Sequence, residues 1–307
     1  MNIAVIQQVA VMAILVAVGY ACRKGGMLDD NSTKKLSALL LNIVIPIVIL
    51  VSYQKPFDTD MLGGLLLSFA LAGISIVSSV LLIPLIFRDK AKDGTVNERL
   101  AAVYSNCAFM GIPLIQGIFG SDGVFYLTAY ITLFNAILFT HGAIVFSGEK
   151  FTLKKLGKAL LHPSVIAIAA GLILFLLGIS LPGVLLDTCQ HIANLNTPLA
   201  MIVAGSTIAT VRLRDTVKKP RLYAVCAIKL IAVPALLMAL CYVCGFDRLI
   251  SGVNVIAAAC PTAAACTMFA IKYNKNPGYS SELFAATTIL SCLTLPLVLT
   301  VFEAIIK

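Results

Sequence analysis

Charge is what this chain has least of. Only 12% of its 307 residues are Asp, Glu, Lys or Arg, 60% are hydrophobic, and mean hydropathy is +0.98. A soluble domain carries about 25% charged residues, so the shortage excludes the soluble globular classes. The apolar residues come in runs of about 20, the length of a membrane-spanning helix, and this excludes a transmembrane barrel. Carboxylates are missing from the middle of every run: Glu98, Asp122, Glu149, Asp187, Glu282 and Glu303 stand at ends or in connections. A proton or sodium carrier usually keeps a carboxylate at membrane depth. Its absence argues against such coupling and for an anionic cargo, which carboxylates in the pathway would repel. There is no basic stretch ahead of the first apolar run, since Arg23 and Lys24 follow it. Residues 1–22 are therefore expected to be a first spanning helix, not a cleaved signal.

Redox, metal and hydrolytic chemistry find no purchase either. Nine cysteines occur (Cys22, Cys107, Cys189, Cys226, Cys241, Cys244, Cys260, Cys266 and Cys292), nearly all inside apolar runs, where they act as small apolar residues. Cys241-x-x-Cys244 has redox spacing but ends a membrane helix without a βαβ setting. An intramembrane enzyme needs paired aspartates, a metal cluster or a serine–histidine pair at depth. Only His141 is available, with no Asp near it. No enzyme activity, cofactor or metal is expected.

What is present is a set of ten apolar segments, at about 3–22, 34–53, 61–87, 98–119, 123–146, 163–181, 190–211, 220–244, 252–271 and 281–303. The longest connection, 147–162, divides them five and five. The net charge of +9 reads as the positive-inside signal and not as a nucleic-acid site. Odd-numbered connections hold four, four, four, five and two Lys or Arg in succession, 19 of the 23. Even connections and the termini hold Lys55, Arg248 and Lys307. Odd connections are thus expected in the cytoplasm and both termini outside.

Prolines recur at a nearly constant offset. Asn42…Pro46 matches Asn194…Pro198, 152 residues on, Pro84 matches Pro234 after 150, and Pro113 matches Pro261 after 148. Five helices per half is an odd number, so halves 1–150 and 151–307 would enter the membrane from opposite sides. The expected fold is all-α, a 5+5 inverted repeat, a frequent transporter plan.

The stretch NCAFMGIPLIQGIFG, residues 106–120, carries the chemistry. Proline lacks an amide hydrogen and clashes with the carbonyl four residues back. In lipid a freed backbone group must be satisfied by protein or trapped water. A break near Gly111 and Pro113 is expected, with a second at Pro261 in segment nine. Each half-helix after a break would offer an uncapped, electropositive N-terminus. Two such ends meeting from opposite sides make an anion site. Gly111 would allow close approach, and Asn106 and Thr262 could add side-chain donors. Lys229 is the one charge inside a span, open to a substrate role, to standing in for a coupling cation, or to snorkelling. His141 is a candidate proton carrier, and Asn135 with Thr132 could line the cavity or bond across helices.

These residues resemble the auxin efflux carrier family, the bacterial and archaeal relatives of the plant PIN-FORMED proteins. The match runs through Asn106, Met110-Gly111-Ile112-Pro113-Leu114 and Phe119-Gly120 in segment four. It continues through Pro261-Thr262-Ala263, Phe269-Ala270, Lys272 and Tyr273-Asn274 in segment nine, and Leu295-Pro296-Leu297 in segment ten. The resemblance implies a scaffold of segments one, two, six and seven that also forms a homodimer. It implies a transport unit of segments three to five and eight to ten, moving as an elevator in the plasma membrane. It implies small organic anions as cargo, auxins in plants and malate or malonate in several bacterial members, with Asn106 on a substrate carboxylate. Plant members have a second asparagine near the segment-nine break; here Cys260, Thr262, Ala263 and Ala264 surround Pro261. The rival expectations are a sodium- or proton-coupled symporter of bile-acid-symporter-like fold, and a non-transporting membrane receptor or scaffold.

Overall fold

The computed structural model describes residues 2–88, 93–148, 157, 161–211, 216 and 218–306, and the regular secondary structure of the described residues is all helix, apart from one isolated β-bridge. Among the described residues six helices are long and apolar enough to cross a membrane, Ile6–Lys24, Asp30–Ser52, Thr59–Ile86, Cys107–Ser147, Pro220–Cys244 and Pro277–Ile305. Two shorter apolar helices, Pro163–Leu176 and Arg248–Ala259, accompany them. Large apolar side chains such as Leu66, Leu81, Leu236, Val243 and Leu293 stand exposed on the outside, as they must on a surface whose solvent is lipid. Most of the connection 147–162, with its lysines, lies outside the described residues.

Helix α1 is Asn2–Lys24, α2 Asp30–Leu39, α3 Ile45–Ser52, α4 Thr59–Ile86 and α5 Asp93–Val103. Then come α6, Ile112–Ile137, α7, Ala143–Ser147, α8, Pro163–Leu176, α9, Gly183–Ala193, and α10, Asn196–Ile208. The last five are α11, Pro220–Ala227, α12, Val233–Cys244, α13, Arg248–Ala259, α14, Ala264–Lys272, and α15, Pro277–Ile305.

Proline shapes this arrangement in a way spacing alone does not reveal. Three π-helical turns, Leu40–Val44, Cys107–Gly111 and Ile228–Ala232, each end two residues before a proline, namely Pro46, Pro113 and Pro234. The wider turn accommodates the missing hydrogen bond and the ring's clash with the preceding turn. The proline then sits in the first turn of the next α-helix, where no donor is required. Segments two and eight therefore continue as bulged helices. Pro84 is held inside α4 without such a turn.

Helices α1 and α10 touch backbone to backbone. A Cβ added at Gly19 would lie 2.2 Å from the Ile202 carbonyl oxygen, and one at Gly205 would lie 2.0 Å from that of Val16. Small residues at these points let two membrane helices approach closely. Segments four and five join without a loop: Gly120, at φ 66 and ψ −155, kinks α6 sharply in a region of backbone space left to glycine.

Candidate functional site

Two helices are interrupted, and the interruptions meet. Helix α5 ends at Val103 and helical structure resumes at Cys107. Helix α13 ends at Ala259 and α14 begins at Ala264. Ser105 and Thr262 form an antiparallel bridge across the gap. The Asn106 amide donates to the Pro261 carbonyl at 2.7 Å, and the Ala263 amide to the Tyr104 carbonyl at 2.9 Å. Each freed backbone segment is thus satisfied by the other, as the interior of a membrane protein requires.

The hydroxyls repeat this exchange. Thr262 donates to the carbonyl of Ala101, four residues before Ser105, at 2.9 Å. Ser105 donates to the carbonyl of Ala258, four residues before Thr262, at 3.3 Å. Each broken strand caps the carbonyl end of the opposite helix, and the paired positions are 157 residues apart. The proline offset of 148 therefore does not give the register of the crossing: Pro261 bonds to Asn106 and lies next to the bridge, while Pro113 lies seven residues beyond Asn106.

The expected break at Gly111 and Pro113 is corrected accordingly. The non-helical residues are Tyr104–Asn106. Gly111 closes a π-helical turn with an ordinary helical φ of −67, and Pro113 sits in the first turn of α6. The reason is the one given above, that a proline at a helix start costs no hydrogen bond. The break at Pro261 falls where expected.

Asn106, Pro261, Thr262 and Lys229 are brought together. Asn106 is buried at 5% exposure, and its side-chain Nδ2 has no hydrogen-bond partner among the described residues. Thr262 is wholly buried, with its hydroxyl spent on Ala101 and its amide donated to Thr287 Oγ1 at 3.2 Å. Lys229 stands on the π-helical turn of segment eight with 0% exposure, so it does not snorkel. It donates to Ser105 Oγ and, at 3.1 Å, to the Ala258 carbonyl. Gly111 reaches the crossing only indirectly, since a Cβ there would lie 3.5 Å from Cys260 Sγ. The carbonyl of Pro113 accepts a 3.0 Å bond from Gln8 Nε2 of α1. His141 occupies the π-helical turn Leu138–Gly142 and reaches the break through Tyr104, whose hydroxyl is 2.9 Å from its Nδ1. Asn135 is buried on α6, and Thr132 bonds back to its own helix at Thr128.

The sequence reading passed over Ser105, the hydroxyl at the heart of the crossing, and Thr287 and Thr288 on α15. Thr288 is buried, its hydroxyl has no partner among the described residues, and it lines a largely apolar cavity of about 180 Å³ with Met12, Met110 and Leu295. Paired polar residues inside an apolar run, Ser105-Asn106 and Thr287-Thr288, were the available signal.

The half-helix N-termini at the crossing carry no side-chain cap. Lys229 makes no ion pair among the described residues. Among the described residues the one buried carboxylate is Glu98, which was expected at a segment end. It is instead buried within α5, 2.8 Å from Arg221 and accepting a 3.0 Å bond from the Tyr279 hydroxyl. The crossing thus holds a buried ammonium with no paired carboxylate among the described residues, and hydrogen-bond donors unspent.

An all-helical, multi-pass membrane protein with two interrupted helices crossing in its interior has the build of a membrane transporter. The family model described as Membrane transport protein matches residues 4–299, and the chain belongs to that family, in line with its resemblance to the auxin efflux carriers. A transporter of Methanothermobacter thermautotrophicus is 28% identical over 292 residues, covering 92% of this chain and 94% of that protein. One of Methanocaldococcus jannaschii is 22% identical over 224 residues, covering 66% and 68%. Both are described as uncharacterized transporters.

Proposed function

We propose that this transporter carries small organic anions, mono- or dicarboxylates such as malate or malonate, bound at the helix crossing. The observation that carries the reading is the unpartnered Nδ2 of buried Asn106, beside two uncapped half-helix N-termini and a buried ammonium, with no carboxylate at hand among the described residues. A carboxylate would take the Asn106 amide and the free backbone donors together. In this reading Lys229 adds positive potential, Thr262 holds the crossing in shape, and Gly111 and Pro113 set the direction of the half-helix. Asn135 lines the path.

The architecture proposed with it has ten crossings in two inverted halves, 1–150 and 151–307. Segments one, two, six and seven form a dimerising scaffold, and the remaining six form an elevator-like unit. The protein sits in the plasma membrane with both termini outside. An inside-negative potential then favours export by about 2.3 kcal/mol per charge per 100 mV. Uptake of labelled malate and malonate into proteoliposomes tests this: wild-type protein moves at least one of them, and Asn106→Ala does so about tenfold more slowly. Equal rates would remove Asn106 from the site.

One observation favours a second reading, proton-coupled symport. His141 is hydrogen-bonded to Tyr104 inside the break itself. Uptake driven by an imposed pH gradient in wild-type protein, and lost in His141→Gln, would select it.

A further inference from the structure

Capping does not explain Lys229. The carbonyl end of α5 is served by the Thr262 hydroxyl alone, through Ala101. The equivalent end of α13, at Ala258, receives the Ser105 hydroxyl and the Lys229 ammonium as well. If hydrogen bonding were the only need, a neutral donor would serve without the heavy cost of taking an ammonium out of water. The positive charge itself therefore has a use.

Its surroundings say what kind. The ammonium is enclosed by a hydroxyl oxygen on an unwound strand and by a carbonyl oxygen at a half-helix C-terminus. A half-helix C-terminal carbonyl beside unwound backbone is what a broken-helix transporter offers to a coupling cation, and the Ser105 hydroxyl adds a second neutral oxygen. The C-terminal end of α13 also presents the negative pole of its helix dipole.

We infer that the Lys229 ammonium is a tethered cation occupying, through Ser105 Oγ and the Ala258 carbonyl, the place where a mobile monovalent cation would bind, so that transport needs no coupling ion. The inference rests on the transporter reading and goes beyond it. It makes Lys229 a positioning residue that holds the two broken strands in register, not a direct ligand of the cargo.

The test uses the full chain in proteoliposomes. Malonate uptake and the unfolding temperature are measured in choline, sodium and methylammonium chloride at one ionic strength. Wild-type uptake agrees in the three salts to within about twofold, less than 0.5 kcal/mol. Lys229→Gln, which keeps a donor but not the charge, and Lys229→Ala each lose about tenfold in choline. In Lys229→Ala, sodium or methylammonium restores uptake and raises the unfolding temperature by mass action. The inference is overturned if sodium stimulates the wild type, if Lys229→Gln matches the wild type in choline, or if neither cation changes Lys229→Ala. Should Lys229→Ala fold only poorly, recovery of folded protein with methylammonium present supports the inference and failure to recover overturns it. If the wild type moves no carboxylate, the substrate reading falls, while the cation-dependent stability of Lys229→Ala still decides this one.

Discussion

Asn106 and Thr262 sit on facing strands of one crossing, and their side chains are in opposite states. The Asn106 amide nitrogen is buried without a partner, a condition that costs about 1–3 kcal/mol and that a bound carboxylate would relieve. Thr262 has its hydroxyl already engaged at 2.9 Å. The two respond differently to removal of polarity. Thr262→Val leaves the Ala101 carbonyl short of a donor and lowers stability by about 1–3 kcal/mol, read as a fall in unfolding temperature, because a buried group loses its partner. Asn106→Ala leaves stability nearly unchanged and strikes uptake. Were Thr262→Val as stable as the wild type, the reciprocal caps would not be holding the crossing together. At this scale the sequence showed Asn106 and Lys229, because polarity in an apolar run stands out. Ser105 and Thr288 escaped notice because a hydroxyl can bond back to its own helix and so carries little signal.

Elements were legible where one residue dictates the backbone and illegible where neighbours share the task. Pro261 interrupts its helix because it lies between two apolar stretches with no wider turn ahead of it. Pro113 does not, because the π-helical turn Cys107–Gly111 ends two residues before it and absorbs it, a backbone adjustment that the proline alone does not announce. Gly120 illustrates the first kind. A Cβ there meets nothing within 4 Å, yet φ is +66. Gly120→Ala therefore destabilises by backbone strain alone, on the order of 1–3 kcal/mol, and circular dichroism melting in detergent measures it. The contact of α1 with α10 is of the other sort. Gly205→Leu drives a side chain into the Val16 carbonyl, 2.0 Å from the first added atom, and backbone atoms cannot yield as side chains do. Folded protein recovered by size-exclusion chromatography should be largely lost, whereas Gly183→Ala, at a position open to space, is recovered normally.

For the whole molecule, charge and hydropathy sufficed to establish a helical membrane protein, and family membership extends over residues 4–299. The pairing of distant helices was harder to read. The 148-residue proline offset pointed to the right two segments, but the strands meet at an offset of 157 residues, set by backbone hydrogen bonds that no spacing of side chains encodes. The proposed orientation has its own check. Cys244 is exposed at the end of α12, next to an even-numbered connection. A variant keeping Cys244 as its sole cysteine should react with a membrane-impermeant maleimide on intact cells. Reaction only after permeabilisation would invert the topology.

The central claim, that the crossing of the two broken helices holds a carboxylate through Asn106, is tested most directly by equilibrium binding to purified protein, free of any question about movement or coupling. Labelled malate and malonate, titrated onto wild-type protein and Asn106→Ala at equal folded concentration, should show saturable binding of at least one ligand to the wild type and at least about tenfold weaker binding to the variant, a loss of about 1.4 kcal/mol. Equal affinity in the two proteins would contradict the account.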